Sequence, residues 1–196
     1  MIPKDFAQGL YGAWLLARLN RNAINLFENS IESFWRSFNA AFLCVPIFIG
    51  LIIIRSVEIN TGVGSIASIA IYSISYVISW IAFPYAMYHV TRLLGTEDKY
   101  FRYISAYNWA TCLQLAALFI VSVIGNSGFL PQGLSVTITM AVVFSIFGYK
   151  GFLAHVGLGI RHGVALAIVL LDFILALIFE SWTLRLLQAA PITSGG

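Results

Sequence analysis

Charge and cysteine are scarce in this sequence. Only 10% of its 196 residues are Asp, Glu, Lys or Arg, whereas soluble globular domains carry about 25%. Because 60% of the residues are hydrophobic, a water-soluble protein of this composition would have too few charged residues to cover its surface. Disorder is excluded by the same composition, since disordered chains are poor in aromatic residues and rich in charge. The only cysteines, Cys44 and Cys112, lie in apolar runs, which excludes a disulfide scaffold.

Motifs of catalytic and metal-binding proteins are also missing. The chain has no Walker loop, no dinucleotide-binding glycine fingerprint and no His-Glu-x-x-His motif. Gly125–Gly128 matches the G-x-S-G pattern of rhomboid-type intramembrane proteases, but that chemistry needs a histidine within hydrogen-bond reach of Ser127. The order of the spans places His89, His155 and His162 at the opposite membrane face. We therefore predict no enzyme activity, no cofactor and no metal site.

Long apolar runs fill most of the chain. A helix needs roughly 20 mostly apolar residues to cross about 30 Å of hydrocarbon, and five stretches qualify: 38–54, 65–90, 104–124, 134–156 and 164–184. The sequence therefore predicts an all-α fold, a polytopic membrane helical bundle with five transmembrane helices in residues 37–186. A short extracytoplasmic tail, residues 187–196, is expected to follow.

The segment before the first span, residues 1–36, has a different pattern. Between Ile24 and Phe38 the apolar residues recur at three- and four-residue steps, which places them on one face of a helix. This spacing predicts a cytoplasmic amphipathic segment at the membrane interface. Its candidate interfacial anchors are Phe27, Ile31, Phe34 and Trp35. The segment is alternatively explained by packing on the cytoplasmic ends of the spans, and the two explanations are compatible.

Basic residues are divided unevenly between the two ends of the spans. With the N-terminus inside, Arg55 and Arg185 are the only two of the 11 lysines and arginines that fall outside. Basic residues collect on the cytoplasmic side, so we predict a cytoplasmic N-terminus and an extracytoplasmic C-terminus. The basic residues form no dense run, and the net charge of +3 therefore indicates attraction to anionic lipid rather than binding of nucleic acid.

One carboxylate lies deep in a predicted span. Asp172 is about nine residues into the fifth span, where a charged side chain costs on the order of 2.5–3.5 kcal/mol to insert. Lys150 is the predicted partner, because the two depths differ by only about 6 Å at 1.5 Å per residue. A hydrogen bond from Asn108 is the alternative, and His155 completes the candidate intramembrane polar cluster. The cluster either holds helices together or relays protons or ions.

Small hydroxyl residues form a stripe along the second span. Ser65, Ser68, Ser75 and Ser79, with Tyr72 among them, recur at helical spacing. Small polar side chains allow helices to approach closely and to form hydrogen bonds across their interface. We therefore predict that this face packs on another helix.

The order of the segments, an amphipathic region followed by five spans, can be compared with known families, and two short stretches help in the comparison. Phe34–Phe42 enters a span interrupted by Pro46, and Tyr107–Ala110 opens the third span. In this layout the chain resembles the Yip1 family, including its bacterial members. The acidic D-L-x-G-P segment of the eukaryotic members is missing, and with it the basis for a role in vesicle trafficking or with a GTPase partner. The resemblance implies a protein that organises membranes or binds other membrane proteins without catalysis.

Three functional hypotheses follow from these patterns. The first is a non-enzymatic integral membrane protein that organises the membrane or binds other membrane proteins through helix packing. The second is a small transporter or proton- or ion-conducting subunit that uses Asp172 and Lys150, and the third is an accessory subunit of a larger membrane complex. The expected partners are the lipid bilayer and other membrane proteins or a second copy of the chain. The expected location is the bacterial inner membrane.

Overall fold

The computed structural model describes residues 4–59 and 66–189, and over these residues the fold is all-α. The helices are α1 (Lys4–Ala17), α2 (Ile31–Ser37), α3 (Asn39–Ile59), α4 (Ile66–Leu94), α5 (Tyr100–Asn126), α6 (Gln132–Leu158) and α7 (His162–Ala189). Two short 3-10 helices, Arg21–Leu26 and Glu97–Lys99, lie between α1 and α2 and between α4 and α5.

Within the described residues, five helical segments are long and apolar enough to cross a membrane. They are α2 with the first part of α3 (Ile31–Ile54), the second 3-10 helix with α5 (Glu97–Asn126), and the whole of α4, α6 and α7. The prediction of five such segments is confirmed. The observed helices are longer than the predicted spans: α3 passes Arg55 and ends at Ile59, and α7 continues to Ala189, so residues 187–189 of the predicted tail are helical.

Helix α5 is the centre of the bundle. It packs against α3 on one side and α6 on the other, α7 packs on α6, and α4 packs mainly on α7. We call the end of the bundle with the α4–α5 and α6–α7 connections, residues 95–99 and 159–161, the lower end. The end with the α5–α6 connection, residues 127–131, is the upper end. In this row α3 and α4 occupy the two ends, and they meet through side chains such as Tyr76 and Phe48.

The N-terminal segment is a set of short elements rather than the single helix predicted from Ile24 to Phe38. Ser30 caps α2, because its side chain accepts a hydrogen bond of 3.1 Å from the Ser33 N–H. Phe27, which ends the 3-10 helix, is extended. A serine at such a position offers the backbone a competing hydrogen bond, so the apolar spacing continues across a break in the helix.

Helix α1 packs directly on the bundle. Gly9 lies against Trp109 of α5 so closely that a Cβ atom there would be 2.3 Å from the indole ring. On the next turn of α1, Gly12 faces the ring of Phe27, and the Tyr149 hydroxyl of α6 donates a 2.8 Å hydrogen bond to the Ala13 carbonyl. The described part of this segment, residues 4–36, therefore shares its core with the long helices, as the packing explanation requires.

The first long segment is broken between α2 and α3 at Phe38. Ser37 fills the gap: its hydroxyl donates to the Phe34 carbonyl at 2.6 Å and accepts a 2.9 Å hydrogen bond from Nδ2 of Asn108. Side chains of neighbouring helices commonly satisfy the groups that such breaks release. Asn108 therefore stabilises the broken helix.

Candidate functional site

Three helices meet at the carboxylate of Asp172. Lys150 of α6 contacts Oδ2 of this residue, and the Tyr107 hydroxyl of α5 donates a 2.8 Å hydrogen bond to Oδ1. Asp172 is 8% exposed, and the ammonium of Lys150 also lies 5.6 Å from the centre of the Tyr107 ring. Burial of a charge pair is tolerated only when further hydrogen bonds satisfy it, and here both carboxylate oxygens have a donor. The predicted contact of Lys150 with Asp172 is present.

The connection between α6 and α7 brings these two charges to the same height. Lys150 precedes the end of α6 at Leu158 by eight residues, and Asp172 follows the start of α7 at His162 by ten. Gly157 lets α6 approach α5, since a Cβ atom there would lie 2.8 Å from the Tyr103 ring. The antiparallel hairpin thus sets the height of the pair, and the close α5–α6 contact places Tyr107 beside it.

A cavity of about 810 Å³ extends from the Asp172–Lys150–Tyr107 group along the bundle. Four helices supply most of its lining: α3, α4, α5 and α7. Hydroxyl groups are spread over an otherwise largely apolar surface, and they belong to Tyr72, Ser75, Tyr76, Ser79, Thr111, Ser122 and Thr183. On α7 the lining continues past Glu180 to Leu187. The ion pair is therefore one end of a chamber that runs toward the upper end of the bundle.

The stripe of serines on α4 faces this chamber and the helix next to it. Ser75 shares a 2.7 Å hydrogen bond with Thr183 of α7, which confirms at this position that the stripe packs on another helix. Ser79 lines the chamber, and Ser68 is buried. Ser65 lies outside the described residues.

Aromatic residues hold α4 against α3 and α5. The Tyr76 hydroxyl donates to the Ala41 carbonyl of α3, and the Tyr76 ring lies 4.5 Å from that of Phe48. At the floor of the chamber, Phe83 of α4 stacks on Tyr107 at 4.2 Å. This stack joins α4 to the residue that donates to Asp172.

Two members of the predicted polar cluster lie elsewhere. Asn108 lines the chamber, but its amide nitrogen donates to Ser37, and its Oδ1 atom has no hydrogen-bond partner among the described residues. His155 contacts the Ile160 carbonyl at 2.6 Å through Nδ1 and stacks on His162 at 4.1 Å. The alternative of a hydrogen bond from Asn108 to Asp172 is not what the structure shows, because Asn108 follows Tyr107 and points about 100° away around α5. His155, the other candidate member of the cluster, contacts the α6–α7 connection instead.

Tyr107 is the member of the site that the sequence analysis missed. From the sequence, Tyr107 is assigned only to the stretch that opens the third span. A more specific signal is the series Tyr103, Tyr107 and Thr111, spaced four residues apart and therefore on one face of α5. The buried Tyr103 side chain and the Thr111 hydroxyl, which donates to the Tyr107 carbonyl at 3.0 Å, flank the residue on that face.

The four predicted anchors divide into two pairs. Phe27 is buried in the core, and the Phe34 ring packs within 6 Å of Tyr100 and Phe101. Ile31 and Trp35 are exposed, by 52% and 65% respectively. Only this second pair has the orientation that an interfacial anchor needs, so Phe27 and Phe34 as anchors are corrected to packing residues.

The remaining candidates for chemistry in residues 4–59 and 66–189 are metal ligands and the Ser127 hydroxyl. No group of three or more His, Cys, Asp or Glu side chains there is placed to hold a metal ion. The Ser127 hydroxyl donates to the Ile124 carbonyl at 2.7 Å, so it stabilises the last turn of α5.

The fold and the site define an all-α bundle with five helices suited to crossing a membrane and a chamber that ends at a buried ion pair. No family model, curated protein or solved structure matches this chain. The resemblance to the Yip1 family stays a prediction from layout.

Proposed function

We propose that this chain is a small transporter of the bacterial inner membrane whose solute occupies the chamber and whose Asp172 exchanges a proton during transport. The observation that carries the proposal is the chamber of about 810 Å³ with Lys150, Asp172 and Tyr107 at its floor. Ionisable side chains inside membrane segments generally mark pathways of substrates or protons. The carboxylate, its ammonium partner and its phenol donor are the groups through which a proton would pass.

The lining of the chamber indicates what it can hold. The chamber is partly open to the surroundings of the bundle, so molecules can enter it. Apolar cavities stay dry and polar ones hold water. With eight hydroxyl-bearing side chains and an ion pair in its lining, this chamber suits water or a solute with polar groups.

The orientation that we propose places the lower end in the cytoplasm. Four basic residues lie in or next to the two connections at the lower end: Arg92, Lys99, Arg102 and Arg161. The positive-inside rule expects such residues on the cytoplasmic side. The chamber then lies in the extracytoplasmic half of the bundle, and buried residues such as Met87, Thr91 and Leu158 close its cytoplasmic side. Transport requires a path through this packed lower end to open. Because five spans are few for a transporter, we expect a second copy or a partner protein in the working assembly.

Proton flux through reconstituted vesicles tests the proposal. Purified protein in liposomes under a potassium diffusion potential should acidify or alkalinise the lumen, as reported by an entrapped pH dye. Asp172→Asn should abolish this flux, because an amide has the size of the carboxylic acid but no proton to exchange. The matched control is Asp98→Asn, an exposed carboxylate in the α4–α5 connection, which should retain the flux. Equal flux in wild type and Asp172→Asn contradicts the proposal.

A second candidate function is the organisation of membranes or membrane proteins, as the Yip1-like layout implies. The observation that favours it is a set of large exposed side chains on the short N-terminal helices: Tyr11 and Trp14 on α1, and Ile31 and Trp35 on α2. Such side chains suit contact with the headgroup region of a bilayer or with another membrane protein, including a larger complex. The lipid contact of Trp35 is tested below.

A further inference from the structure

The two cysteines of the chain, far apart in sequence, meet in the bundle. Cys44 of α3 and Cys112 of α5 are separated by 68 positions, and their sulfur atoms are 2.7 Å apart. This separation lies between the length of a disulfide bond, about 2.0 Å, and the van der Waals contact of two sulfur atoms. Both side chains are buried, at 0% and 3% exposure, and Cys112 also contacts the Ala40 carbonyl at 3.3 Å. The packing of α3 on α5 therefore presents two thiols to each other.

We propose that Cys44 and Cys112 form an intramolecular disulfide that fastens α3 to α5. The two S–H bonds break, one S–S bond forms, and the pair gives up two protons and two electrons. The oxidant is a lipid-soluble quinone, which takes up both electrons and both protons and becomes the quinol. A quinone fits because the pair lies inside two apolar helices, where a water-soluble oxidant has no direct approach.

The backbone around Cys44 provides a way for the buried pair to react. Helix α3 begins after the break at Phe38, and Pro46 lies inside it. Proline has no N–H, so the Phe42 carbonyl lacks its usual helical hydrogen bond. The intervening stretch, residues 39–45, is therefore bounded by a break on one side and a missing hydrogen bond on the other. Local opening of this stretch exposes Cys44 at less cost than opening a continuous helix.

The cross-link would act on the wall of the chamber. Phe48 and Leu115 line the chamber, and they lie four residues beyond Cys44 and three beyond Cys112 respectively. The loop closed by the bond contains the whole of α4. Oxidation thus fixes α3 on α5 beside the chamber that both helices line.

Counting thiols in the full-length protein tests the disulfide. The protein in liposomes is treated with decylubiquinone, then denatured and labelled with maleimide-polyethylene glycol, with and without prior reduction. We expect both thiols to be lost on treatment and both to return on reduction, with a monomeric band on a non-reducing gel. This measurement involves no solute, so its outcome is independent of the proposed transport function.

A shifted pair is the matched control. The double variant Cys112→Ser/Leu113→Cys keeps two thiols but moves one of them to the next position on α5, about 100° around the helix. It should retain both thiols under the same treatment. Full labelling of the treated wild type, a dimer as the oxidised product, or equal loss of thiols in the shifted variant would each overturn the proposal. If the shifted variant fails to fold, the thiol count of the wild type decides alone.

Discussion

The buried carboxylate of Asp172 is stabilised by two donors from different helices, one for each of its oxygens. Lys150 supplies the charge and Tyr107 supplies a hydroxyl. Such a pair need not raise the free energy of unfolding above that of an apolar pair of the same size, yet removal of one member leaves the other charged and buried. The stability of this site is therefore expected to depend on the pair rather than on either residue.

Lys150→Met is expected to lower the free energy of unfolding by about 3–5 kcal/mol, because it leaves the buried Asp172 carboxylate without a positive charge beside it. Lys150→Met/Asp172→Asn should recover most of this loss, since the amide is neutral and its oxygen still accepts the hydrogen bond from Tyr107. Denaturant titration in mixed micelles measures both values. A double variant as unstable as the single one would show that the loss arises from the packing of the lysine side chain and not from the unpaired charge.

The short helices α1 and α2 have one face in the core and one face outside it. On α2, Phe34 packs against Tyr100 while Trp35, the next residue, is 65% exposed. On α1, Gly9 admits the ring of Trp109 while Trp14 is exposed. These helices combine the two explanations that the amphipathic pattern allowed: packing on one side and a surface for lipid or a partner on the other.

Trp35 is expected to contact lipid, and Trp109 is not. Variants that retain only one of these two tryptophans, with the others changed to Phe, are reconstituted in brominated phospholipid. Fluorescence should be strongly quenched for the Trp35 variant and little quenched for the Trp109 variant, whose ring is 4% exposed. Absence of quenching at Trp35 would remove the support for an interfacial role of α2 and for the membrane-organising candidate.

The proposed direction of the bundle in the membrane depends on its basic residues. Eleven lysines and arginines are present, and only Arg55 and Arg185 belong to the predicted outer side. Residues 4–59 and 66–189 contain five segments able to cross a membrane. Because five is an odd number, the two termini are expected on opposite faces.

A pair of reporters fused after Gly196 checks this orientation. One reporter is active only outside the cytoplasm and should be active in the fusion; the other is active only in the cytoplasm and should be silent. The same reporters inserted after Gly128, in the connection between α5 and α6, should give the same result. Cytoplasmic activity at either site would reverse the predicted direction, and opposite results at the two sites would contradict the five crossings.

The sequence by itself determined the long helices and the height of the ion pair. Apolar length measures whether a helix can cross a bilayer, and the rise of 1.5 Å per residue converts positions such as Lys150 and Asp172 into depths. Apolar length and depth are both measured along the helix axis, and neither depends on which helices lie next to it. Only the tertiary structure decided which side chains face each other around those axes. It brought Tyr107 to Asp172, turned Asn108 toward Ser37, and placed Cys44 beside Cys112, because the rotation of each helix follows from close packing at residues such as Gly157 and Gly9.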